Sequence, residues 1–181
     1  MIKVIDDFLP KTYARDITEL FDSTKLPWFH CQKITNEKIE GYDNGFINFH
    51  MFVENKERVS QFTDFLFPIK YMIEETLKEE LELIRMKANM NFNQKLNSEF
   101  ETPHIDVTTG CKYVAIWYPM DSDGDTVIYN QKGVAQPNQF TIQKRVSPKH
   151  NRLLIFDGDY WHSSSVPKEY RKRMSLNIVL D

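Results

Sequence analysis

The spacing of apolar residues predicts helices in the N-terminal part of this 181-residue chain. Residues 10–23 (PKTYARDITELFDS) carry apolar side chains every three or four positions, with a proline in the expected first turn. A second stripe at this spacing predicts a helix that begins near Asn55, an acceptable N-cap residue, and that Pro68 kinks or breaks. The stripe consists of Val59, Phe62, Leu66, Ile69, Ile73 and Leu77.

Short β-favouring runs replace this pattern from about residue 82. Turn-forming stretches such as DSDGD and SPKHN separate them. The runs are LIRMKANMNF (83–92), KYVAIWYP (112–119), DTVIYN (125–130), NQFTIQ (138–143), RLLIF (152–156) and RMSLNIVL (173–180). A further strand is predicted at 46–54 (FINFHMFVE). Helices followed by antiparallel strands predict an α+β protein whose strands form a sandwich or a barrel.

The composition is that of a soluble globular protein, with 41% hydrophobic and 27% charged residues. The length fits one domain over residues 1–181, with helical support at about 1–80 and the β core at about 82–181. The net charge of −3 gives no basic footprint, so neither nucleic acid nor an anionic membrane is expected as a partner. Only two cysteines, no signal-peptide pattern and no run of ~18 apolar residues predict a cytoplasmic protein.

Three side chains in the β region have the chemistry of metal ligands. His104 and Asp106 in ETPHIDVTTG (101–110) would point to the same side of a strand, although the pair alone fits a turn or a surface ion pair equally well. His162 follows a late apolar strand in NRLLIFDGDYWHSSSVP (151–167). Two imidazoles and one carboxylate suit the facial triad of non-haem Fe(II), and they also suit a catalytic zinc site.

The last strand adds an arginine to this set. RMSLNIVL alternates strictly, with Arg173, Ser175 and Asn177 on the face opposite its apolar residues. The planar guanidinium of Arg173 can clamp a carboxylate through two hydrogen bonds, and Ser175 can add a third donor. The alternative is an edge strand whose arginine faces solvent.

Together these residues resemble a known enzyme family. H-x-D, 55 residues, H, ten residues and then R-x-S is similar to the motif of the Fe(II)- and 2-oxoglutarate-dependent dioxygenases, especially their small prolyl-hydroxylase-like branch. The resemblance covers about residues 85–180. It implies a double-stranded β-helix (a cupin-like jelly roll) supported by N-terminal helices. The chain departs from the branch in AIWYPMDSDGDT (115–126), where "YLN" and a double glycine are usual.

The resemblance implies roles for individual residues. The Fe(II) ligands would be His104, Asp106 and His162. The 2-oxoglutarate contacts would be Arg173, Ser175 and Tyr118, together with Asn89 and Asn91 as polar contacts to cofactor or substrate. Arg171 shares a face with Arg173 and is the alternative clamp, whereas Tyr113 would point away from Tyr118.

The implied reaction couples oxidation of 2-oxoglutarate to succinate and CO2 with hydroxylation of a C–H bond, using O2. Asp106 favours hydroxylation, because related halogenases lack this carboxylate. The substrate would be a prolyl or other protein side chain, or a small metabolite. A nucleic acid is not expected, because RKRMSLNIV lacks the later arginine of the demethylase branch. The alternatives are a metal-binding jelly roll without activity and a zinc-dependent hydrolase.

Two further expectations concern the surroundings of the site. Trp117 is expected in the core, while Trp161 or Tyr160 is expected at the substrate mouth because of its proximity to His162. The segments GFINFHMF (45–52) and DVTTGCK (106–112) would flank the site and are candidate lids.

Overall fold

The computed structural model describes residues 1–36, 38–106 and 111–181. Its helices are α1 (Lys11–Asp22), α2 (Thr63–Leu66) and α3 (Pro68–Leu77). Its strands are β1 (Ile2–Ile5), β2 (Phe29–Cys31), β3 (Ile47–Glu54), β4 (Glu57–Arg58), β5 (Leu83–Phe92), β6 (Tyr113–Tyr118), β7 (Thr126–Lys132), β8 (Ile142–Val146), β9 (Arg152–Asp157), β10 (Tyr160–Ser164) and β11 (Lys172–Leu180). No helix among the described residues is both long enough and apolar enough to cross a membrane.

The larger sheet has eight strands and places β11 near its centre. The strand order is β1-β9-β6-β11-β5-β3-β2, with β4 paired to β3, and the pairs are antiparallel. Strand β11 lies between β5 and β6, in a register that sets Arg173 opposite Asn91 and Asn177 opposite both Lys87 and Ile116. The polar face of β11 therefore lies beside the polar positions of β5.

The smaller sheet consists of β10, β7 and β8. The segment before Asp106 extends it, because His104 and His162 exchange backbone hydrogen bonds of 2.9 and 3.0 Å. Glu101 also donates its backbone N–H to Ser164, at 2.8 Å. These bonds hold the two histidines opposite each other on neighbouring segments.

Both faces of the larger sheet are buried. On the helical side, Trp117, Leu176 and Ile178 pack with α1 and α3 in one apolar cluster. On the other side, Ile116 and Tyr118 pack with residues of the smaller sheet. Alternate residues of β6 therefore pack into two separate hydrophobic clusters, as expected for a strand covered on both faces. On β11 the predicted apolar face lies entirely on the helical side.

The helix predicted from Asn55 is wrong in its first part. Asn55 and Lys56 have φ angles of 49° and 70° and form the two-residue turn between β3 and β4, which requires positive φ. Val59 is consequently 52% exposed rather than part of a buried stripe. The predicted break at Pro68 is confirmed, since this proline begins α3.

The sequence patterns missed four short strands, β1, β2, β4 and β10, and misplaced one. The run predicted at 138–143 lies too early, because β8 spans Ile142–Val146. The helix at 10–23 and the strand at 46–54 are confirmed within one residue at each end. The first 58 residues therefore contribute strands to the larger sheet as well as helix α1.

Candidate metal centre and cofactor cavity

His104, Asp106 and His162 meet in space although 55 residues separate the second from the third. One potential ligand atom from each lies within 4.8 Å of the other two. The imidazole centroids of His104 and His162 are 4.7 Å apart. The three side chains form a compact group that can contact a single ion.

The two imidazoles are oriented in the same way. Nδ1 of His104 lies 3.2 Å from the carbonyl oxygen of Thr102, and Nδ1 of His162 lies 3.2 Å from that of Tyr160. A proton on each Nδ1 satisfies these carbonyls and leaves both Nε2 atoms free to bind a metal. Burial, together with the neighbouring His162, lowers the pKa of His104 to about 4, so this imidazole is a neutral ligand at pH 7.

Asp106 is held by two side chains of the larger sheet. Arg85 donates to Oδ1, and Asn177 donates to Oδ2 at 2.9 Å. Oδ2 also lies 3.4 Å from Nε2 of His162. Burial acts to raise the pKa of Asp106, but Arg85 and His162 outweigh it and hold this pKa well below its usual range. The carboxylate is therefore ionised, with Oδ2 directed toward the imidazoles.

This donor set fits a divalent transition metal. Two imidazole nitrogens and one carboxylate oxygen from one side leave the remaining positions open, as in a non-haem Fe(II) site. Supporting groups fix all three potential ligands: two carbonyls for the imidazoles and the Arg85–Asn177 pair for the carboxylate.

A small cavity of about 150 Å³ lies beside the three ligands, and Arg173 lines it. Arg173 is only 3% exposed. Its Nε donates to the carbonyl of Gly124 at 2.7 Å and one terminal nitrogen donates to Thr126 Oγ1 at 2.7 Å. Within the described residues, the other terminal nitrogen has only a long contact of 3.4 Å to Ser175. The guanidinium thus keeps N–H donors that can bind a carboxylate in the cavity.

Tyr118 is linked to the guanidinium of Arg173 through Thr126. Its hydroxyl donates to Thr126 Oγ1 at 2.7 Å, and the guanidinium carbon of Arg173 lies 5.7 Å from its ring centroid. Burial raises the pKa of Tyr118, so the phenol stays protonated. Tyr118 supports Arg173 through Thr126, and Ser175 lines the cavity beside them.

The two predicted asparagines also line the cavity but differ in their contacts. Asn91 donates to both carboxyl oxygens of the buried Glu101, at 3.2 Å each. Asn89 has a buried Oδ1 without a hydrogen-bond partner among the described residues. Burial raises the pKa of Glu101 to about 7, against the hydrogen bond from Ser164 and the charge of Arg173.

The two alternative residues lie outside the cavity. Arg171 is exposed, immediately before β11, whereas Arg173 is buried. Tyr113 directs its hydroxyl to Glu79, 3.4 Å away on the helical side of the sheet. The strict alternation of a strand accounts for this separation of Tyr113 from Tyr118, five residues later.

The expectation for the substrate mouth is wrong. Trp161 is 2% exposed and packs in a cluster with Tyr129 and Phe140, and Tyr160 is 9% exposed. Because neighbouring residues of a strand point to opposite faces, Trp161 turns away from the side on which His162 faces the site. Trp117 is fully buried, as predicted, and its indole donates to Asn151 at 3.1 Å.

The two lid segments have different outcomes. Most of 45–52 is strand β3, which is paired on both sides and so does not form a free loop. Residues 107–110 of the second segment lie outside the described residues.

The unusual DGDT turn forms part of the site. A Cβ on Gly124 would lie 2.9 Å from Cδ of Arg173 and 2.7 Å from the carbonyl oxygen of Ser165, so only glycine fits here. The adjacent Asp123 accepts backbone N–H groups from Lys168 and Glu169. The turn therefore positions Arg173 as well as the segment that leads into β11.

The sequence patterns overlooked Arg85, Lys87 and Glu101. Arg85 and Lys87 belong to the strand LIRMKANMNF, in which Asn89 and Asn91 had been noted. The alternation of four polar residues along this strand was the available signal. Glu101 gave no comparable signal, because it lies outside the strands predicted from the sequence and its carboxyl is bonded by Asn91 and Ser164 only in the folded chain.

The fold is that of a known class of proteins, the Fe(II)/2-oxoglutarate oxygenases. Among solved structures, an oxidoreductase of the 2OG-Fe(II) oxygenase family from Burkholderia pseudomallei matches with a TM-score of 0.70 and 12% identity, covering 99% of this chain and 84% of that one. A prolyl hydroxylase from Trichoplax adhaerens, in complex with a hypoxia-inducible-factor peptide, gives 0.63 and 12%, covering 99% and 82%. The α-ketoglutarate-dependent epimerase SnoN from nogalamycin biosynthesis gives 0.68 and 12%, covering 99% and 77%.

These likenesses confirm the predicted double-stranded β-helix. No family model matches the sequence, and no curated protein matches it.

Proposed function

We propose that this protein is an Fe(II)- and 2-oxoglutarate-dependent oxygenase that hydroxylates a C–H bond. The observation that carries the proposal is the joint placement of the His104–Asp106–His162 group and Arg173 on one small cavity. A metal-binding jelly roll without activity has no use for a buried arginine that keeps free donors. A zinc hydrolase has no use for it either.

Each residue has a defined task in this reaction. The two Nε2 atoms and Oδ2 of Asp106 hold Fe(II), and Arg85 with Asn177 keeps the carboxylate oriented. Arg173 binds the distal carboxylate of 2-oxoglutarate, with Ser175 beside it and Thr126 and Tyr118 supporting the guanidinium.

Fe(II) held by these three side chains would supply activation of O2 for the coupled oxidation of 2-oxoglutarate to succinate and CO2 and hydroxylation of the substrate C–H bond. The protein orients the reactants and limits access of water to the small cavity. Asp106 occupies the ligand position that halogenases leave open, which supports hydroxylation.

The substrate is a protein side chain, such as a prolyl residue, or a small metabolite. Structural neighbours of both kinds support this range: a prolyl hydroxylase in complex with a peptide and an epimerase from nogalamycin biosynthesis. Nucleic acid is not part of the proposal. Residues 1–181 act as one domain, and the free cysteines Cys31 and Cys111 support a cytoplasmic location.

The test is release of succinate from 2-oxoglutarate by aerobic, Fe(II)-reconstituted protein. We expect turnover by the wild-type chain, loss to background in His162→Ala and Asp106→Ala, and unchanged turnover in His150→Ala, which alters an exposed histidine. No succinate from folded, iron-loaded wild-type protein, or equal turnover in His162→Ala and His150→Ala, would contradict the proposal.

A further inference from the structure

Strand β5 presents a row of polar side chains to the cavity, and some of their polar atoms lack hydrogen-bond partners among the described residues. Arg85, Lys87, Asn89 and Asn91 line it from alternate positions. Asn91 is satisfied by Glu101, but Nε of Arg85 and Oδ1 of Asn89 are buried without a hydrogen bond among the described residues. The ammonium of Lys87 has neither a hydrogen bond nor an ion pair within that part of the chain, and it lies 6.0 Å from the ring centroid of Phe49.

The charges around the cavity do not balance. Among the described residues, three cationic side chains, Arg85, Lys87 and Arg173, line the cavity with one carboxylate, Asp106, and a second, Glu101, is bonded to the lining residue Asn91. A divalent metal and the doubly negative 2-oxoglutarate would add no net charge, so the described part of the loaded cavity keeps at least one uncompensated positive charge. Groups of one sign in a confined cavity attract a ligand of the opposite sign.

The uncompensated charge lies at the metal end of the cavity. Lys87 is opposite Asn177, the residue that donates to Asp106, whereas Arg173 is opposite Asn91. Arg173 and Asn177 are four residues apart on β11, which corresponds to about 13 Å along the strand. Arg85 is already engaged by Asp106, so Lys87 is the cation that remains available there.

Burial and then the charge of Arg85 lower the pKa of Lys87, because both disfavour a charged ammonium at this position, and Asp106 offsets them only in part. An incoming carboxylate or phosphate would relieve this cost. It would also give the free Nε of Arg85 an acceptor nearby.

We propose that Lys87, with Arg85 beside it, binds a carboxylate or phosphate group of the primary substrate. The inference rests on the proposed oxygenase function and narrows its substrate class to anionic molecules. The anionic group that Lys87 binds could also be the carboxylate of 2-oxoglutarate nearest the metal, and the experiment separates these two sources.

The experiment uses inorganic phosphate as the probe and Mn(II) as a paramagnetic replacement for the iron. Protein loaded with Mn(II) and saturated with 2-oxoglutarate is titrated with phosphate while the 31P relaxation rate is measured. We expect saturable relaxation enhancement by wild-type protein, and at least about tenfold weaker phosphate binding in Lys87→Met. Lys144→Met removes an exposed lysine and serves as the matched control.

Equal phosphate binding by wild type and Lys87→Met would overturn the inference, because phosphate would then bind at the metal or elsewhere. Weaker binding of 2-oxoglutarate but not of phosphate in Lys87→Met would also overturn it, by assigning Lys87 to the cofactor. Failure to bind Mn(II) or 2-oxoglutarate at all would count against the proposed function instead. Calorimetric titration of the metal-free protein with phosphate would then still test Lys87.

Discussion

Replacement of Arg173 is the sharpest single change, because the role of this residue depends on its shape as well as on its charge. Arg173→Met keeps most of the side-chain length but removes every donor that could hold a carboxylate. Truncating one partner of a buried charge pair costs about 2–5 kcal/mol, which is roughly a 30- to 4,000-fold increase in the dissociation constant for 2-oxoglutarate. We expect a loss near the middle of this range.

Arg173→Lys should lie between the wild type and Arg173→Met. It keeps the positive charge, but a single ammonium cannot replace the contacts to Gly124 and Thr126 while also binding a carboxylate through two parallel bonds. The comparison of the two variants therefore separates charge from geometry.

Calorimetric titration of metal-loaded protein with 2-oxoglutarate, without O2, measures these affinities. Arg173→Met leaves the Gly124 carbonyl without its donor, so thermal unfolding is recorded alongside to verify that the variant is folded. Arg171→Met, two residues earlier and exposed, is the matched control. Near-wild-type affinity in folded Arg173→Met, or an equal loss in Arg171→Met, would refute the assignment of the carboxylate clamp.

Three further predictions concern the supporting residues. Glu101→Gln should remove a pH dependence of the free energy of unfolding. Because the pKa of Glu101 is raised from 4.5 to about 7, this carboxyl stabilises the fold most below pH 4.5, and up to about 3 kcal/mol is lost as the pH rises through 7. Urea unfolding of the metal-free protein measures this dependence. Asn151→Ala should lower the free energy of unfolding by about 2–4 kcal/mol, because its buried side chain accepts from Trp117 and bonds to the backbone of a distant loop. Gly124→Ala should weaken 2-oxoglutarate binding, measured by the same calorimetry, because the added Cβ displaces Arg173.

Controls and contrary outcomes differ among the three. Parallel pH profiles of wild type and Glu101→Gln would mean that this carboxyl does not titrate between pH 4.5 and 7. Asn138→Ala, an exposed asparagine, should leave unfolding unchanged, and an equal effect of the two asparagine changes would argue against the hydrogen-bond account. Wild-type affinity in Gly124→Ala would show that the turn tolerates a side chain without moving Arg173.

The sequence indicates the three proposed metal ligands and the arginine because each lies in a short motif at a characteristic spacing. His104 and Asp106 are two residues apart on an extended segment, and Arg173 lies on a strand with strict alternation. The structure brings all of them to one cavity. Such local patterns are informative because strand geometry alone decides which side chains share a face.

Residues whose roles depend on pairing between distant strands were not predictable from these patterns. Arg85 reaches Asp106, and Asn91 reaches Glu101, only through the register of the assembled sheets. The short strands β1 and β2 were missed for a related reason. They have four and three residues, too few to show a periodic pattern, and pairing with longer strands holds them in the sheet. The helix predicted from Asn55 failed because a two-residue turn interrupts its apolar stripe.

The most direct test of the central claim is anaerobic titration of metal-free protein with Fe(II) and then 2-oxoglutarate, followed by visible absorption. Chelation of Fe(II) by the 2-oxo acid produces a metal-to-ligand charge-transfer band. We predict that this band appears in the wild type, is absent in His162→Ala, and needs more 2-oxoglutarate in Arg173→Ala. Tight binding of Fe(II) without a band in the wild type would contradict the oxygenase assignment and leave a metal site of another kind.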